Sequence, residues 1–500
     1  DEPAQPLADD STPFYLNTQK RPWLPRPDHP RRAAVSAFGF GGSNFHCVLE
    51  EAQPDKPQSD WDGSVQIIAL DGDSPETILA ALSKWKDLDS WDQLTIRAAE
   101  SRQRFDASAP CRLTIVVTRD GEPVPRMIES ALAWLQRESS SNFAASPAGC
   151  FWGRGPTPGR LAWLFPGQGS QYVGMLRDWA CQFPDMLDAL AAADSRGASE
   201  RWTAAGDRLS DLIFPPPTFS QAKRQQQESA LRDTRIAQPA LAAVSLGALR
   251  VLRSFGVVGE MAAGHSFGEL TALYSAGCFG DTEFLDLARM RGRIMAECQR
   301  EADGGMLAIH ATAGDVDRWL GGLQLPLTIA NFNSPRQVVV SGPATAIETF
   351  QRDLERRGTR ATRLPVSAAF HSPQVVDAEP RFREALDTVP IRAPRLPVYS
   401  NTTAVPYPHD AAAIRGLLAG QLARPVRFTD LIQRMVRDGA ATFVEVGPGN
   451  VLTRLVEQIV RESPSGRSVD CLAVDASAGR RSCSADLALA LARLPPRGPA

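Results

Sequence analysis

Histidine and cysteine are scarce in this 500-residue sequence, and neither is spaced to bind a metal. There are six histidines and eight cysteines, and no Cys-x-x-Cys pair occurs. Since zinc sites need ligands at short, regular spacings, the sequence predicts no metal site, and reduced thiols are the simplest interpretation of the cysteines. A net charge of −3 leaves no basic excess to attract nucleic acid or an anionic membrane.

Long apolar runs are missing as well. The longest nearly uncharged run lies between Arg235 and Arg250, where Gln238 and Pro239 interrupt it, so we expect it to be too short to cross a bilayer. No charged-then-apolar signal segment opens the chain. These absences predict a soluble, cytoplasmic protein without nucleic-acid or membrane partners. Since the chain starts at Asp1 rather than at methionine, we also expect it to be a piece of a longer protein.

The length predicts roughly three domains, and patterning divides the chain accordingly. Residues 1–52 have the composition of an irregular connector, which ends in a glycine-rich turn between two strand-like runs. Residues 53–155 alternate short strand and helix patterns, and this predicts a small α/β domain. Residues 156–496 form the third and largest part.

Strand, tight glycine turn and helix follow one another twice in this largest part, at residues 159–174 and 257–268. That succession is typical of a mainly parallel sheet with helices on both faces. Between about residues 304 and 367 the order becomes β-α-β-β-α-β, with the last strand at Thr362–Val366. This order predicts a ferredoxin-like subdomain inserted into a larger α/β fold.

The pentapeptide Gly264-His-Ser-Phe-Gly268 predicts catalysis. The pattern G-x-S-x-G forms a nucleophile elbow, in which the serine lies on a cramped turn between a strand and a helix. Side chains at either glycine position would collide with those elements. A strand-like run precedes the motif and a helical pattern follows it, so we expect Ser266 at a helix N-terminus. A plain glycine turn remains the alternative.

A serine hydroxyl is a poor nucleophile at neutral pH and needs a neighbouring base. Among the histidines, His371 follows a strand-like run and precedes Pro373, and a loop histidine at the end of a strand is a good candidate for that base. His265 directly precedes the serine, and this position predicts a side chain that points away from the hydroxyl. An ordinary loop histidine remains the alternative for His371.

Several segments besides the elbow carry recognisable motifs. They are Phe165–Gln171, Gly264–Glu269, Arg291–Met295, Asn331–Pro335, Ala369–Pro373, Gln421–Val426 and Glu445–Gly449. In their order and spacing, these segments resemble the malonyl-CoA:acyl carrier protein acyltransferases, over roughly residues 158–496. Members of that family occur alone in fatty acid synthesis and as domains of type I polyketide synthases.

The N-terminal parts resemble the neighbours of such a domain. Ser36–Glu50 is similar to the C-terminal end of a ketosynthase domain, and residues 53–155 are similar to the linker between a ketosynthase and an acyltransferase. The resemblance thus implies a ketosynthase tail at 1–52, the linker at 53–155 and the acyltransferase at 156–496. It also implies that a ketosynthase domain of the same polypeptide precedes Asp1. The tail is more similar to iterative enediyne or polyunsaturated fatty acid synthases than to modular ones.

The resemblance implies a chemical role for the matching residues. Ser266 would attack a malonyl thioester and His371 would take its proton, so that a seryl ester forms before the acyl group moves to an acyl carrier protein. The backbone N–H groups of Gln168 and Phe267 would hold the oxyanion, and the backbone carbonyl of Gln421 would orient the imidazole. Coenzyme A enters as part of the substrate and phosphopantetheine as part of the carrier protein, and no permanently bound cofactor is implied.

Further residues are implied to shape the substrate pocket. Arg291 matches the arginine that grips the substrate carboxylate, for which a planar guanidinium is well suited, and a solvated helix charge is the alternative. Phe370 resembles the bulky residue of malonyl-selecting members, since a ring there would clash with an α-methyl group. Asn331 and Asn333 resemble polar residues that line the site, and turn chemistry at Ser334–Pro335 is the alternative.

The sequence departs from the common family pattern at two positions. Ala368 stands where malonyl-selecting members often have histidine, and Phe267 follows the nucleophile where smaller or polar residues are usual. The resemblance therefore leaves the substrate range open beyond a malonyl preference.

Two other functions remain as alternatives. A serine hydrolase or thioesterase would place an acid between the serine and the histidine in the chain, and Asp281, Asp286 and Asp353 lie in that interval. Arg291 and the lack of an H-G-G-G segment favour transfer over hydrolysis. A non-catalytic docking scaffold of a larger synthase is the other alternative, which the intact serine and histidine disfavour.

Overall fold

The computed structural model describes residues 15–25, 29–52, 63–88, 90–156, 159–197, 202, 208–301, 304–365, 369–463 and 466–494, without the side chains of 299–301. Some predictions fall outside the described residues. They concern residues 1–14 of the connector, Ala368, and the end of the last predicted ferredoxin-like strand at Val366.

The strands are β1 Arg32–Ala37, β2 Phe45–Glu50, β3 Val65–Gly72, β4 Cys111–Thr118, β5 Phe143–Ala145, β6 Cys150–Arg154, β7 Arg160–Phe165, β8 Met261–Gly264, β9 Gly304–Ile309, β10 Thr328–Ser334, β11 Gln337–Pro343, β12 Ala361–Arg363, β13 Val398–Tyr399, β14 Ala440–Glu445 and β15 Asp470–Ala473. The helices are α1 Pro75–Ser83, α2 Trp91–Arg104, α3 Val124–Glu138, α4 Arg177–Gln182, α5 Pro184–Arg196, α6 Leu209–Ile213, α7 Gln221–Arg232, α8 Thr234–Ser254, α9 Gly268–Ser275, α10 Asp281–Glu301, α11 Ala313–Leu323, α12 Ala344–Arg356, α13 Ala378–Asp387, α14 Ala411–Gly420, α15 Phe428–Arg437, α16 Val451–Arg461 and α17 Cys483–Arg493. Short 3₁₀ helices lie at Pro373–Val375 and Gln421–Ala423.

The two strand-like runs of the connector form an antiparallel hairpin, as predicted. Arg32 of β1 pairs with Glu50 of β2, and Ala37 pairs with Phe45 at the other end. Residues of both strands are largely exposed, and the glycine-rich turn between them carries the fully exposed side chain of Phe40. The hairpin is therefore a small sheet whose apolar side chains have little cover within the described chain.

Residues 65–154 form an antiparallel sheet in the order β3-β4-β6-β5, with helices α1–α3 packed on one face. Ile78 of α1 and Leu94 of α2 are fully buried in that layer. The opposite face packs against α17, whose Ala488 lies in one apolar cluster with Val65 of β3. Helix α2 has a weak apolar period, because Leu94 and Ala98 are its only buried residues.

Five parallel strands form the central sheet in the order β13-β8-β7-β14-β15. Apolar cores lie on both of its faces, so the predicted mainly parallel α/β fold is confirmed. Along the chain β7 comes first, and later strands add on one side of it through β8 and β13 and on the other side through β14 and β15. The winding therefore reverses between β7 and β14, and the carboxyl ends of strands at such a point open a crevice for a ligand.

The predicted ferredoxin-like insertion is confirmed. Strands β9–β12 form an antiparallel sheet in the order β10-β11-β9-β12, and α11 and α12 pack on it around a core that includes Leu307, Val340 and Ile347. Strand β10 carries Asn331 and Asn333. Neither asparagine therefore belongs to the turn that joins β10 to β11.

Helix α8 contains the apolar run between Arg235 and Arg250. By length and composition alone it could cross a membrane, but 89% of its apolar window is buried inside the protein. It packs against α5 and α10, as expected of a core helix. Gln238 and Pro239 do not interrupt it, which corrects the sequence expectation, because both lie within one continuous helix.

Candidate active site

The nucleophile elbow is present as predicted. Strand β8 ends at Gly264, α9 begins at Gly268, and Ser266 lies between them with φ of +52°. A Cβ on Gly264 would lie 2.0 Å from the carbonyl oxygen of Gly268, and a Cβ on Gly268 would lie 1.9 Å from the carbonyl oxygen of Phe165. No side chain fits at such distances, so the strand and the helix can approach this closely only with glycine at both positions.

Ser266 and His371 lie far apart in the chain and meet at this elbow. The Oγ of Ser266 lies 2.7 Å from Nε2 of His371, although 105 residues separate them. The Nδ1 of the same ring lies 3.0 Å from the backbone carbonyl oxygen of Gln421. Since a carbonyl only accepts, Nδ1 carries the proton and Nε2 is free to accept the serine proton.

His371 is neutral in this environment. It is only 3% exposed, and its burial, reinforced by the positive charge of Arg291, lowers its pKa to about 3. The imidazole therefore stays unprotonated at neutral pH, which is the state that a general base requires. Both His371, with φ of +57°, and Ser266 have left-handed backbone conformations, which are strained for residues with a side chain and are typical of functional sites.

The acids that a hydrolase triad would need are engaged elsewhere. Asp281, Asp286 and Asp353 each form an ion pair with an arginine, and no contact with His371 is found among the described residues. The ring nitrogen that a triad acid would occupy is bound to the carbonyl of Gln421. A Ser-His-Asp triad is therefore not assembled in the described part of the chain.

His265 points away from the serine hydroxyl, as predicted. Its Nε2 lies 2.8 Å from Oδ1 of Asn333, and its ring packs 5.4 Å from the ring of Phe428. The side-chain amide of Asn333 also donates to Gln337 at 3.1 Å. Asn333 therefore supports the residue before the nucleophile, and its described contacts are with His265 and Gln337 rather than with Ser266.

Arg291 is buried, so its interpretation as a solvated helix charge is wrong. It is 2% exposed, and its Nη1 donates to Gln238 at 2.8 Å while its Nη2 donates to Gln421 at 3.2 Å. Its Cζ lies 5.7 Å from the centroid of the Phe267 ring, within cation–π range. Burial lowers the pKa of Arg291 to about 10, and the negative charge of Glu269 acts in the opposite direction. The guanidinium therefore remains charged at neutral pH.

Gln168 and Phe267 lie in loops that follow neighbouring strands. Phe267 comes directly after Ser266 at the end of β8, and Gln168 follows β7, which pairs with β8. The Gln168 side chain donates to the Thr234 hydroxyl at 3.0 Å and accepts from Gln238 at 3.3 Å, which fixes its loop. Since the carboxyl ends of parallel strands share one edge of a sheet, the two loops meet beside the nucleophile.

Asn401 supports the elbow, although nothing in the sequence pattern predicted a role for it. Its Oδ1 accepts the backbone N–H of Ser266 at 2.7 Å, and its Nδ2 donates to the carbonyl of Gly264 at 2.6 Å. It is fully buried and follows β13, which is only two residues long. The one available signal was a polar residue after an apolar Val-Tyr pair, and so short a strand gives no periodicity to recognise.

Glu269 is a second such residue. It lies in α9, fully buried, and accepts a hydrogen bond from the Tyr407 hydroxyl. Burial raises the pKa of Glu269 to about 7, and the Tyr407 hydroxyl and the charge of Arg291 partly offset this effect. The Glu269 carboxyl group and the Arg291 guanidinium are thus both buried, and each shifts the pKa of the other. Its place in the Gly264–Glu269 motif was visible in the sequence, but no role could be read from it.

Phe370 and Asn331, for which the resemblance implies pocket-lining roles, are both buried. Phe370 precedes His371, is 8% exposed and packs into the main core. Asn331 is 4% exposed and forms a backbone bridge to Val426, which joins β10 to the segment after Gln421. Their positions are compatible with the pocket-lining roles that the resemblance implies.

The parallel sheet, the elbow and the inserted subdomain define a protein of the α/β acyltransferase class. A family model, the acyl transferase domain, matches residues 162–482, which is more than half of the chain. The chain therefore belongs to the acyl transferase domain family, and the predicted family is confirmed. A second family, the ketoacyl-synthetase C-terminal extension, matches residues 8–107.

Relatives of known function include both large synthases and small transacylases. A polyunsaturated fatty acid synthase from Thraustochytrium sp. is 30% identical over 92% of this chain and 17% of its own length. The malonyl CoA-acyl carrier protein transacylase of Bacillus subtilis is 33% identical over 60% of this chain and 91% of its own length. The chain thus spans a small part of the synthases it matches and nearly all of the transacylase.

Solved structures agree with this family. The acyltransferase domain of the iterative polyketide synthase in enediyne biosynthesis is 26% identical, covers 86% of this chain and 95% of its own, and has a TM-score of 0.62. The malonyl CoA-acyl carrier protein transacylase of Coxiella burnetii is 30% identical, covers 67% of this chain and 98% of its own, and has a TM-score of 0.57.

Proposed function

We propose that this chain transfers a malonyl group from coenzyme A to the phosphopantetheine thiol of an acyl carrier protein, through an ester on Ser266. The observation that carries the proposal is the 2.7 Å contact between Ser266 Oγ and His371 Nε2, with the buried guanidinium of Arg291 nearby. Relatives named as malonyl CoA-acyl carrier protein transacylases support the malonyl group and the carrier partner.

In the first half-reaction Ser266 is acylated. As Oγ bonds to the thioester carbon, its proton passes to Nε2 of His371, and negative charge collects on the carbonyl oxygen. The backbone N–H groups of Gln168 and Phe267 hold that oxyanion, and losing one such donor typically costs about a hundredfold or more in rate. The C–S bond then breaks, and the departing thiolate of coenzyme A takes the proton from His371.

The second half-reaction runs the same steps with another thiol. The phosphopantetheine thiol of the carrier protein gives its proton to His371 and attacks the ester carbon, and the ester C–O bond breaks. The proton on His371 returns to Oγ of Ser266, which restores the free enzyme. The two thiol substrates therefore use one site in turn, and ping-pong kinetics follow.

A backbone carbonyl replaces the acid of a conventional triad. The carbonyl of Gln421 holds Nδ1–H of His371 at 3.0 Å, so the ring keeps the orientation and tautomer that the transfer needs. Burial lowers the pKa of His371, and the carbonyl of Gln421 offsets this only in part, because a carbonyl dipole stabilises the imidazolium less than a carboxylate would. The positive charge of Arg291 adds to the effect of burial until a substrate carboxylate neutralises it.

Arg291 binds the free carboxylate of the malonyl group. Its bonds to Gln238 and Gln421 are single contacts, so the five N–H groups of the guanidinium leave donors for a bidentate bond to a carboxylate. Burial makes such a bond strong, because the charges meet away from water. An acetyl group offers no partner for this charge, and a malonyl group does.

Phe370 limits the substituent on the malonyl α-carbon. Phe370 is buried and directly precedes His371 in the chain, and we infer that its ring occupies the space that an added methyl group would need. Discrimination by one methyl group is worth about 1–3 kcal/mol, so we expect a preference for malonyl over methylmalonyl rather than strict exclusion.

The acyltransferase works as part of a cytoplasmic polyketide or polyunsaturated fatty acid synthase. Residues 1–52 are the tail of a ketosynthase domain of the same polypeptide, 53–155 are the linker and 156–496 are the acyltransferase. The match of residues 8–107, which runs across the boundary at residue 52, to a ketoacyl-synthetase C-terminal extension supports a ketosynthase neighbour. So does the exposed hairpin β1–β2, because contiguous exposed apolar side chains mark an interaction surface.

Intact-mass spectrometry tests the proposed chemistry. The chain is incubated with malonyl-CoA, first alone and then with a phosphopantetheinylated acyl carrier protein. We expect a malonyl adduct on Ser266 that is stable alone and moves to the carrier protein when the carrier is added. Release of free malonate at a rate that the carrier leaves unchanged would show hydrolysis and contradict transfer.

A mixture of malonyl-, methylmalonyl- and acetyl-CoA in the same experiment reads substrate preference directly. We expect the malonyl adduct to dominate, because it alone satisfies both the guanidinium and the space beside Phe370. A dominant acetyl adduct would contradict the role of Arg291 while leaving the seryl ester intact.

A further inference from the structure

Gln421 contacts each of the principal groups of the site with a different atom. Its backbone oxygen accepts from His371 Nδ1, its side-chain Nε2 donates to the backbone oxygen of Ser266 at 2.9 Å, and its Oε1 accepts from Arg291 at 3.2 Å. The residue is fully buried on the short 3₁₀ helix that follows α14. The family resemblance gives a role only to the backbone atom.

The carboxamide makes the two side-chain contacts with two different atoms, one a donor and one an acceptor. The carbonyl of Ser266 needs a donor and the guanidinium of Arg291 needs an acceptor, so the amide has one orientation that satisfies both. A carboxylate could accept from Arg291 but could not donate to Ser266, and an apolar side chain could do neither. The carboxamide of Gln421 therefore matches the hydrogen-bonding needs of both neighbours.

The guanidinium is fixed from two directions. Gln238 on α8 holds Nη1 and Gln421 holds Nη2, while the Phe267 ring lies 5.7 Å from Cζ. Of the two glutamines, only Gln421 also touches the nucleophile residue, through the Ser266 carbonyl. It therefore links the position of the charge that binds one end of the substrate to the position of the oxygen that attacks the other.

We infer that the Gln421 side chain is a positioning residue that sets the separation between the serine nucleophile and the Arg291 guanidinium, and thereby selects acyl groups that end in a carboxylate. The inference rests on the proposed malonyl transfer. Acyl groups without a carboxylate do not use the guanidinium, so their transfer depends on Ser266 and His371 and little on the carboxamide.

The side-chain role is separable from the backbone role. A neutral replacement of Gln421 keeps the backbone carbonyl that orients His371, so the base and its pH dependence are retained. A loss confined to substrates with a carboxylate would thus report on the carboxamide and not on the imidazole. A general disturbance of the site would instead slow all acyl groups alike.

The test compares malonyl and acetyl transfer in two variants. Gln421→Met keeps a similar length and loses both side-chain bonds, whereas Gln421→Glu keeps the acceptor, loses the donor and adds a charge that competes with the substrate carboxylate for Arg291. Initial rates of Ser266 acylation by malonyl-CoA and acetyl-CoA are measured on one preparation. Their ratio does not depend on the fraction of protein that is folded.

We expect the malonyl-to-acetyl ratio to fall about ten-fold or more in Gln421→Met and further in Gln421→Glu, since bonds to a charged group are at stake. The pH profile of acetyl transfer by Gln421→Met should match that of the unsubstituted chain, because this variant adds no charge beside His371 or Arg291. Gln66→Met is the matched control, because Gln66 is also buried and its Oε1 accepts from Arg102 at 3.1 Å in the linker sheet. The control should leave the ratio unchanged.

A double variant tests whether Gln421 acts through Arg291. In an Arg291→Ala background, Gln421→Met should cause little further change in the ratio, because the group that it positions is gone. An independent additional loss would overturn the inference, as would an unchanged ratio in Gln421→Met or an equal shift in Gln66→Met. If the unsubstituted chain itself shows no malonyl preference, the proposed function fails before any variant is compared.

Discussion

The region around Ser266 buries polar side chains, whereas the hairpin β1–β2 exposes apolar ones. His371, Arg291 and Gln421 are each no more than 3% exposed, yet all three are polar. Phe40 at the tip of the hairpin is apolar and fully exposed. One region therefore hides polar groups from water, and the other presents apolar groups to it.

The buried polar groups and the exposed apolar groups are stabilised in different ways. Around Ser266 the buried polar groups are hydrogen-bonded to one another within the chain, so the site is assembled before any substrate arrives. The hairpin's apolar side chains are largely uncovered within the described residues, and an exposed apolar patch of this kind marks an interaction surface. The exposed apolar side chains of the hairpin are Val35, Phe38, Phe40, Phe45, Val48 and Leu49. The chain thus separates its chemistry from its attachment, and each should survive loss of the other.

Among the variants, Ser266→Ala should have the largest effect on acyl transfer. The variant has no atom to form the acyl ester, so acyl transfer to a carrier protein should fall by at least about 1,000-fold. Transfer assays with malonyl-CoA and intact-mass spectra of the chain measure this. Because alanine fits the elbow, the melting temperature should change little. A malonyl adduct that persists in the variant would place the nucleophile elsewhere.

Arg291→Ala should come next, and its effect should depend on the acyl group. Malonyl transfer should fall by about a hundredfold, since a bidentate charge-assisted bond is lost, while acetyl transfer should fall much less. Initial rates with both coenzyme A thioesters on one preparation give the two losses. Equal losses for both acyl groups would show that the arginine supports the fold of the site rather than the carboxylate.

The local motif was sufficient to predict the elbow and its serine. The pattern around Gly264 and Gly268 specifies a close approach of strand and helix, and the Cβ distances show that nothing but glycine is possible there. The pairing of Ser266 with His371 could be proposed only from residue chemistry and family resemblance. Sequence spacing does not give the distance between residues 105 positions apart; the packing of the loop at His371 against the segment at Gln421 does.

The supporting residues could not be predicted for related reasons. Asn401 follows a strand of two residues, and Gln238 was expected to interrupt an apolar run that in fact continues as helix α8. Each is a polar residue in an apolar neighbourhood, which is a signal of buried hydrogen bonding but does not say to what. Their partners, Ser266 and Arg291, come from elements distant in sequence and become neighbours only in the folded chain.

Phe370→Ser should have a smaller effect, which changes the choice between acyl groups rather than the overall rate. Removal of the ring opens space beside His371, so the ratio of methylmalonyl to malonyl transfer should rise by about ten-fold. Competition between the two thioesters, with adducts on Ser266 read by mass, measures the ratio. An unchanged ratio would mean that the methyl group is excluded by another wall of the pocket.

Acidification should change the rate of Ser266 acylation by less than about twofold between pH 8 and pH 6. A histidine with an ordinary pKa near 6.5 would lose its basic form in this range, but the pKa of His371 is lowered to about 3, so the ring stays neutral. Stopped-flow acylation rates across the range test this. Glu269→Gln is the control, because burial raises the pKa of Glu269 to about 7. A rate that still declines near pH 6.5 in that variant would contradict a permanently neutral base.

Polar replacement at the hairpin should have the smallest effect on acylation. Phe38→Ser and Phe40→Ser remove apolar area that lies in solvent, so the acylation rate of Ser266 should stay within about twofold. Self-association at high concentration, followed by sedimentation velocity, should weaken because exposed apolar patches drive it. Val451→Ser, at an isolated and 51% exposed position of α16, should leave association unchanged. If the hairpin replacements slowed acylation as Arg291→Ala does, the separation of attachment from chemistry would be wrong, and the hairpin would have to be coupled to the site through the linker.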